Sequence, residues 1–164
     1  MQTKINYGIP PENYAVVDKF LSRSAQPDTD NLRWIKQQRV TDIVNFRTMA
    51  ESGINFDEKN AVQMFGMRYH NIPSITARPE EKNIINFLNL IEHIKGRKGK
   101  AHIHCKAGTD RTGMYTFFYK GIYKIGSTAD NINEWLKCGH NKSLFPNLIP
   151  WSERMLKHFK KQYK

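Results

Sequence analysis

Residues 104–113 read HCKAGTDRTG. Ala101-His102-Ile103-His104 has strand character and delivers Cys105, a segment holding Gly108 leads to Arg111, and a helix is predicted to start at Thr112. Such a turn gathers backbone N–H groups and the positive end of a helix dipole around one point, which suits a phosphate-like dianion. Lys106, Ala107, Gly108, Thr109, Asp110 and Arg111 are therefore the candidate phosphate-binding residues. The same field favours a thiolate, which makes Cys105 the candidate nucleophile. Arg111 brings a planar fork that grips two phosphate oxygens and offsets the charge that builds on them during in-line transfer. Thr112 offers a hydroxyl to the Cys105 sulfur, which would ease departure of the thiolate. Gly108 and Gly113 allow a backbone path that a Cβ would obstruct.

A loop of this kind needs a strand before it, a helix after it and a sheet beneath it. Tyr14–Val17 and Phe20-Leu21 read as short strands, and Asp28 is placed to cap a helix that buries Leu32 and Ile35. Val40–Phe46 is β-rich, residues 57–65 are expected to be helical, and Met67–Ile72 is a strand ending at Pro73. After Arg78-Pro79-Glu80-Glu81, the residues Ile84, Phe87, Leu88, Ile91 and Ile94 recur at helical spacing. The helix after the loop carries Met114, Phe117, Phe118, Ile122 and Ile125 on one side, and Tyr115, Tyr119 and Tyr123 form a second stripe that reads as packing. Two more helices, around 128–137 and 150–161, would bury Ile132, Trp135 and Leu136, then Trp151, Met155, Leu156 and Phe159. The order predicts one α/β domain over residues 1–164. Its architecture would be a three-layer sandwich, a largely parallel sheet of four to five strands flanked by helices, with the cysteine loop between a strand and a helix.

At 164 residues and 39% hydrophobic content, the chain suits one core. It has no run of 18 apolar residues and no apolar stretch behind a positive start, so a cytoplasmic chain without membrane insertion is expected. Only Cys105 and Cys138 occur, which argues against a disulfide scaffold; Cys138 reads as a small core residue on its helix. His102 and His104 share a strand face beside Cys105, but the further soft ligands, Cys138 and His140, lie far along the chain; neither metal nor cofactor is expected. The net charge is +11, and Lys and Arg outnumber Asp and Glu sixteen to six over residues 81–164 against ten to nine before them. That excess around the loop would concentrate an anionic substrate, although a solvated lysine-rich surface explains it equally well. Zinc-finger spacing, an RNA-binding aromatic motif and an arginine-rich arm are all missing, which excludes nucleic acid as the expected partner.

The run His104-Cys105-x5-Arg111-Thr112 matches the His-Cys-x5-Arg-Ser/Thr signature of the protein tyrosine phosphatase superfamily. Together with Arg23-Ser24-Ala25-Gln26-Pro27, the IVNFR run ending in Arg47 and the YHNIP run, the chain resembles the compact dual-specificity-type phosphatases of bacteria and fungi. The resemblance implies hydrolysis of phosphate monoesters through a phosphocysteine, with a phosphorylated protein as substrate and inorganic phosphate as product. It makes Cys105 the nucleophile, Arg111 the phosphate clamp, His104 the residue that helps hold the thiolate, and Thr112 the hydroxyl partner.

Superfamily members commonly carry a general-acid Asp about 30 residues before the cysteine. Here that region, Ile72–Pro79, contains no Asp or Glu, and Glu80 and Glu81 fit a helix first turn. Asp110 is the candidate acid, as in the similar loops of myotubularin-like lipid phosphatases; the competing role is to pair with Arg111 or a loop N–H. Lys106 sits where tumour-suppressor-type phosphoinositide phosphatases carry a loop lysine, but Thr109 replaces their second one. Inositol phosphates and phosphoinositides are thus the alternative substrate class, and a phosphate-binding pseudo-enzyme is the third reading. A cleft for phosphotyrosine needs aromatic walls, for which Tyr69, Phe145 and Trp151 are candidates, and the basic stretch Lys157–Lys164 reads as a solvated terminus before a membrane contact.

Overall fold

The computed structural model describes residues 7–51 and 57–162. Five strands, β1 (Ala15–Val16), β2 (Leu21–Ser24), β3 (Asp42–Asn45), β4 (Arg68–Asn71) and β5 (Ala101–His104), form one sheet in the order β1-β2-β5-β3-β4. Helices α1 (Thr29–Gln37), α2 (Glu58–Met64) and α3 (Glu81–Gly96) join β2, β3, β4 and β5 in turn. Each returns the chain across the sheet, so these four strands run parallel; only β1, a hairpin partner of β2, is antiparallel. Helices α4 (Asp110–Ile122), α5 (Thr128–Lys137) and α6 (Leu148–Gln162) complete the chain.

Strand alternation splits the core into two layers. Ile43 faces a smaller cluster with Leu32, Ile35, Val62 and Met67 under α1 and α2, whereas Val44 joins the larger cluster under α3 to α6. At the centre of that larger layer, α4 buries nearly every residue from Thr112 to Tyr119. Phe46 stacks on Tyr115 with centroids 3.7 Å apart, and Phe87 meets Tyr115 edge-on at 5.0 Å. The tyrosine stripe is packing, as expected: Tyr115 and Tyr119 are fully buried.

The three-layer α/β architecture agrees with the sequence reading, and the differences lie at element ends. Asp28 caps α1 in a reciprocal box with Asn31. By contrast, α4 begins at Asp110, two residues before the expected Thr112, because a carboxylate is favoured in a helix first turn. Helix α6 starts at Leu148, since Pro150 lies in a first turn where its missing N–H is not needed. Strand β2 extends past Leu21 through Ser22, Arg23 and Ser24, all buried. Cys138 is the half-buried C-cap of α5, and both cysteines are free. No helix among the described residues is long and apolar enough to cross a membrane. Residues 163 and 164 of the basic terminus lie outside the described residues.

Candidate active site

β5 is the middle strand, hydrogen-bonded to β2 on one side and β3 on the other, so Cys105 leaves the sheet between the ends of two parallel neighbours. Crevices at the carboxyl ends of parallel strands are where such sheets bind ligands. The loop beyond Cys105 is tied down from outside. Gln26 N donates to Lys106 O (3.0 Å), Arg23 Nη2 and Asn13 Nδ2 donate to Gly108 O (2.6 and 3.1 Å), and Trp135 Nε1 donates to Thr109 O (3.1 Å). In a trans peptide the N–H points opposite to the preceding carbonyl. Fixing these carbonyls on the outer side of the loop therefore turns the amides of Ala107, Thr109 and Asp110 to its inner side, where an anion could accept from them. Gly108 has φ +72°, and a Cβ there would fall 2.6 Å from the backbone of Ser24 and Ala25. A Cβ on Gly113 would meet Trp135 at 2.0 Å, so this glycine lets α5 close on α4.

Cys105 is 3% exposed, and Arg111 lies beside its sulfur. Nη1 and Nη2 of Arg111 donate to the two oxygens of Glu51 (2.6 and 2.8 Å), with further donation from Nη1 to Ser74 O (3.2 Å). The fork that the sequence assigns to phosphate is thus shared: Glu51 takes the Nη1/Nη2 edge and leaves the Nε/Nη2 edge for a ligand. Burial works to lower the Arg111 pKa, but the Glu51 bonds and the Cys105 charge outweigh it and raise it. Burial likewise works to raise Glu51, yet Arg111 and the Thr48 amide, 2.6 Å away, hold its carboxyl at about 2, below the ordinary 4.5. Arg47 adds a donor at 3.4 Å and also donates to Gln26 Oε1 (3.1 Å), which joins the IVNFR and RSAQP runs at the loop.

A carboxyl depressed in the folded state contributes stability that is present above its ordinary pKa and lost as pH falls through the folded value. Glu51→Gln should therefore flatten the fall in the urea midpoint between pH 4.5 and about 2. With Arg111 no longer anchored by a charged acceptor, kcat/KM should drop about 10- to 100-fold, the worth of such a charge-assisted bond. An unchanged acid profile together with full activity would contradict this role.

His104 is wholly buried. Its Nδ1 lies 3.1 Å from Cys105 O, which can only accept, so that nitrogen carries the proton; its Nε2 lies 2.6 Å from Glu58 Oε1, a close contact that lacks hydrogen-bond geometry. Asn45 Nδ2 donates to the other Glu58 oxygen (2.8 Å) and to Tyr69 Oη (3.1 Å), linking β3, β4 and α2 to the residue before the nucleophile. His102 is held between Ser22 Oγ and Ser24 Oγ, both at 2.8 Å. Ser24 spends its hydrogen on Ala25 O, so His102 Nε2 donates and Nδ1 accepts from Ser22. Burial, then the charges of His104 and Lys100, pushes its pKa well down, which keeps it neutral. Among the described residues no three His, Cys, Asp or Glu side chains gather to hold a metal.

Asp110 does not pair with Arg111. Its Oδ1 accepts from His140 Nδ1 (2.6 Å) and from the Asn141 amide (2.9 Å), and Oδ2 accepts from Thr109 Oγ1 (3.2 Å). The Thr112 hydroxyl is buried without a hydrogen-bond partner, so the bond to sulfur is not formed in this state. Lys106 and Ala107 are exposed on the loop.

Thr48, Glu51, Ser74, Ile75, Phe145 and Arg111 line a cavity of about 290 Å³. The carboxylate-free segment before α3 therefore forms its wall. Phe145 is placed as expected; Trp151 lines a neighbouring cavity, and Tyr69 lies with Asn45 under α2 instead of in the cleft. Glu51, Glu58 and His140 were not predicted from sequence. Arg47 and Glu51 at spacing four were the only local hint.

A family model described as "Polymorphic toxin system, DSP-PTPase phosphatase" matches residues 19–119. The dual specificity protein phosphatase TpbA of Pseudomonas aeruginosa is 23% identical over 111 residues, 68% of this chain and 47% of its own length. The chain thus spans about half the length of that curated relative. A DUF442 protein of Shewanella putrefaciens superposes with a TM-score of 0.76 at 18% identity, covering 94% of this chain and 93% of its own. The catalytic core of the PP-IP phosphatase SIW14 of Saccharomyces cerevisiae, solved with citrate, gives 0.71 at 17% identity, covering 93% and 96%. At such identities the structural likeness establishes the fold.

Proposed function

Because the chain belongs to the DSP-PTPase phosphatase family of polymorphic toxin systems, we propose that it hydrolyses phosphate monoesters through a phosphocysteine, with phosphorylated protein, phosphotyrosine above all, as substrate. The observation that carries this reading is the Cys105 loop, whose carbonyls are fixed outward and whose clamp, Arg111, lies beside the sulfur. Cys105 Sγ attacks phosphorus in line, the P–O bond to the leaving group breaks, and the leaving oxygen takes a proton. Water then attacks the phosphocysteine, the P–S bond breaks, and phosphate and the thiolate are released. The unpartnered Thr112 hydroxyl is free to donate to that departing sulfur. Residues 1–164 act as one catalytic domain, and two free cysteines suit a reducing, cytoplasmic compartment.

Asp110 is the acid of this scheme, held next to the loop by His140 and the Asn141 amide. Asp110→Asn is expected to lower turnover of an alkyl phosphate, a poor leaving group, by about 10²- to 10⁴-fold. An aryl phosphate with an acidic phenol should lose much less. Equal losses on both substrates would assign Asp110 a structural role instead.

One observation supports a second substrate class. Lys106 is exposed and directly follows the nucleophile; its backbone oxygen is taken by Gln26 N, but its ammonium has no partner among the described residues and is available to a second phosphate, as on an inositol phosphate. SIW14, of the same fold, is described as a PP-IP phosphatase. Phosphate release measured side by side from a phosphotyrosyl peptide, a phosphoseryl peptide and inositol polyphosphates tests the choice. Turnover of the inositol compounds alone would overturn the protein reading, and no release from any substrate would overturn the phosphatase.

A further inference from the structure

A second cavity, of about 450 Å³, opens beside the one lined by Arg111 and Glu51, and Thr76, Ala77 and Phe145 line both. Leu144, Leu148 and Trp151 give it an apolar side, and Thr76, Asn147 and Arg154 are its polar lining. Leu144 stands 65% exposed at the rim, and Trp151 is braced from behind by Phe118, ring centroids 6.0 Å apart. An exposed Leu beside a fixed indole is apolar surface that water covers poorly. At the same cavity lies Arg154 of α6, exposed and without an ion pair or hydrogen bond among the described residues. Among the described residues no Asp or Glu lines the space.

Resting on the reading of the site as a protein phosphatase, we propose that this cavity is a substrate subsite. It takes the polypeptide flanking the phosphorylated residue, an apolar side chain against Leu144 and Trp151 followed by an acidic side chain at Arg154. The wall common to both cavities supplies continuity: a chain whose phosphate sits at Arg111 passes over Phe145 into the second space. The chemistry selects the occupant. An inositol polyphosphate carries a hydroxyl or phosphate on every ring carbon and has no apolar side chain to bury, so Leu144 and Trp151 offer it nothing. A peptide supplies the apolar group, and Arg154 selects for acid beyond it.

The test uses the full chain and three substrates: an aryl phosphate too small to enter the subsite, and two symmetric phosphotyrosyl peptides. One peptide carries leucines beside the phosphotyrosine and glutamates outside them; the other carries glycines and lysines. The leucine–glutamate peptide is expected to show kcat/KM about 10-fold or more above the other, mostly through KM. Arg154→Glu and Leu144→Gln should each cut that preference several-fold when rates are referred to the aryl phosphate in the same variant, which corrects for any loss of folded enzyme. Equal rates on the two peptides, or a preference that survives both substitutions, would overturn the subsite while leaving the phosphatase standing. Turnover of aryl phosphate with neither peptide hydrolysed would overturn the protein-substrate reading and the subsite with it.

Discussion

Cys105→Ser is expected to abolish release of phosphate from an aryl phosphate, lowering kcat by about 10⁴-fold or more. The exchange is nearly isosteric at a residue only 3% exposed, so the loop and the packing around it should persist. What changes is the nucleophile. A serine hydroxyl stays protonated at neutral pH, and Asp110, the carboxyl of this loop, serves the leaving oxygen in the proposed mechanism. His104, the adjacent imidazole, has Nδ1 on Cys105 O and turns Nε2 toward Glu58, away from the serine. Phosphate binding should survive or tighten, because the inward amides remain while the thiolate, a like charge beside the dianion, is gone. Titration of the variant with inorganic phosphate, set beside the aryl phosphate assay, checks both halves. Residual turnover above about 1% of the parent would place the nucleophile elsewhere.

The contrast between Cys105 and Glu51 shows which parts of this site are legible in a sequence. Cys105 and Arg111 lie on one short loop, so their relation is fixed by local geometry and by residue types that serve no common structural purpose together. Glu51 meets Arg111 only because β3 pairs with β5 in a register that sets Asn45 beside His104, which brings the segment after β3 over the loop. Sheet order is a global outcome, and around residue 51 the spacing to Arg47 hints at an ion pair but not at Arg111. Glu58 is hidden in the same way: on α2 it reads as a surface charge, yet it is 5% exposed and faces His104. Strand β2 escaped full recognition for a different reason. Its Ser-Arg-Ser run has the composition of a turn, and it is a strand because His102 and Gly108 O satisfy those side chains. The helices were the easiest elements, since caps and apolar spacing within a dozen residues define them.

Arg111→Lys should then lower kcat by about 10³-fold or more, within the range for losing an arginine that stabilises a transferring phosphoryl group. The reason is the division of labour in the guanidinium. Arg111 holds Glu51 with one edge while its other edge and the neighbouring sulfur remain within reach of the ligand. A lysine ammonium keeps the charge but is a single point, and the Glu51 carboxylate would compete with phosphate for it. This competition makes the two residues non-additive. In the Arg111→Lys background, Glu51→Gln should restore part of the lost kcat/KM, whereas in the parent the same substitution lowers it. A double-mutant cycle on kcat/KM measures that reversal of sign directly. If Glu51→Gln were harmful in both backgrounds to the same extent, Glu51 would not act through Arg111, and its carboxylate would have to contact the substrate or the nucleophile by another route.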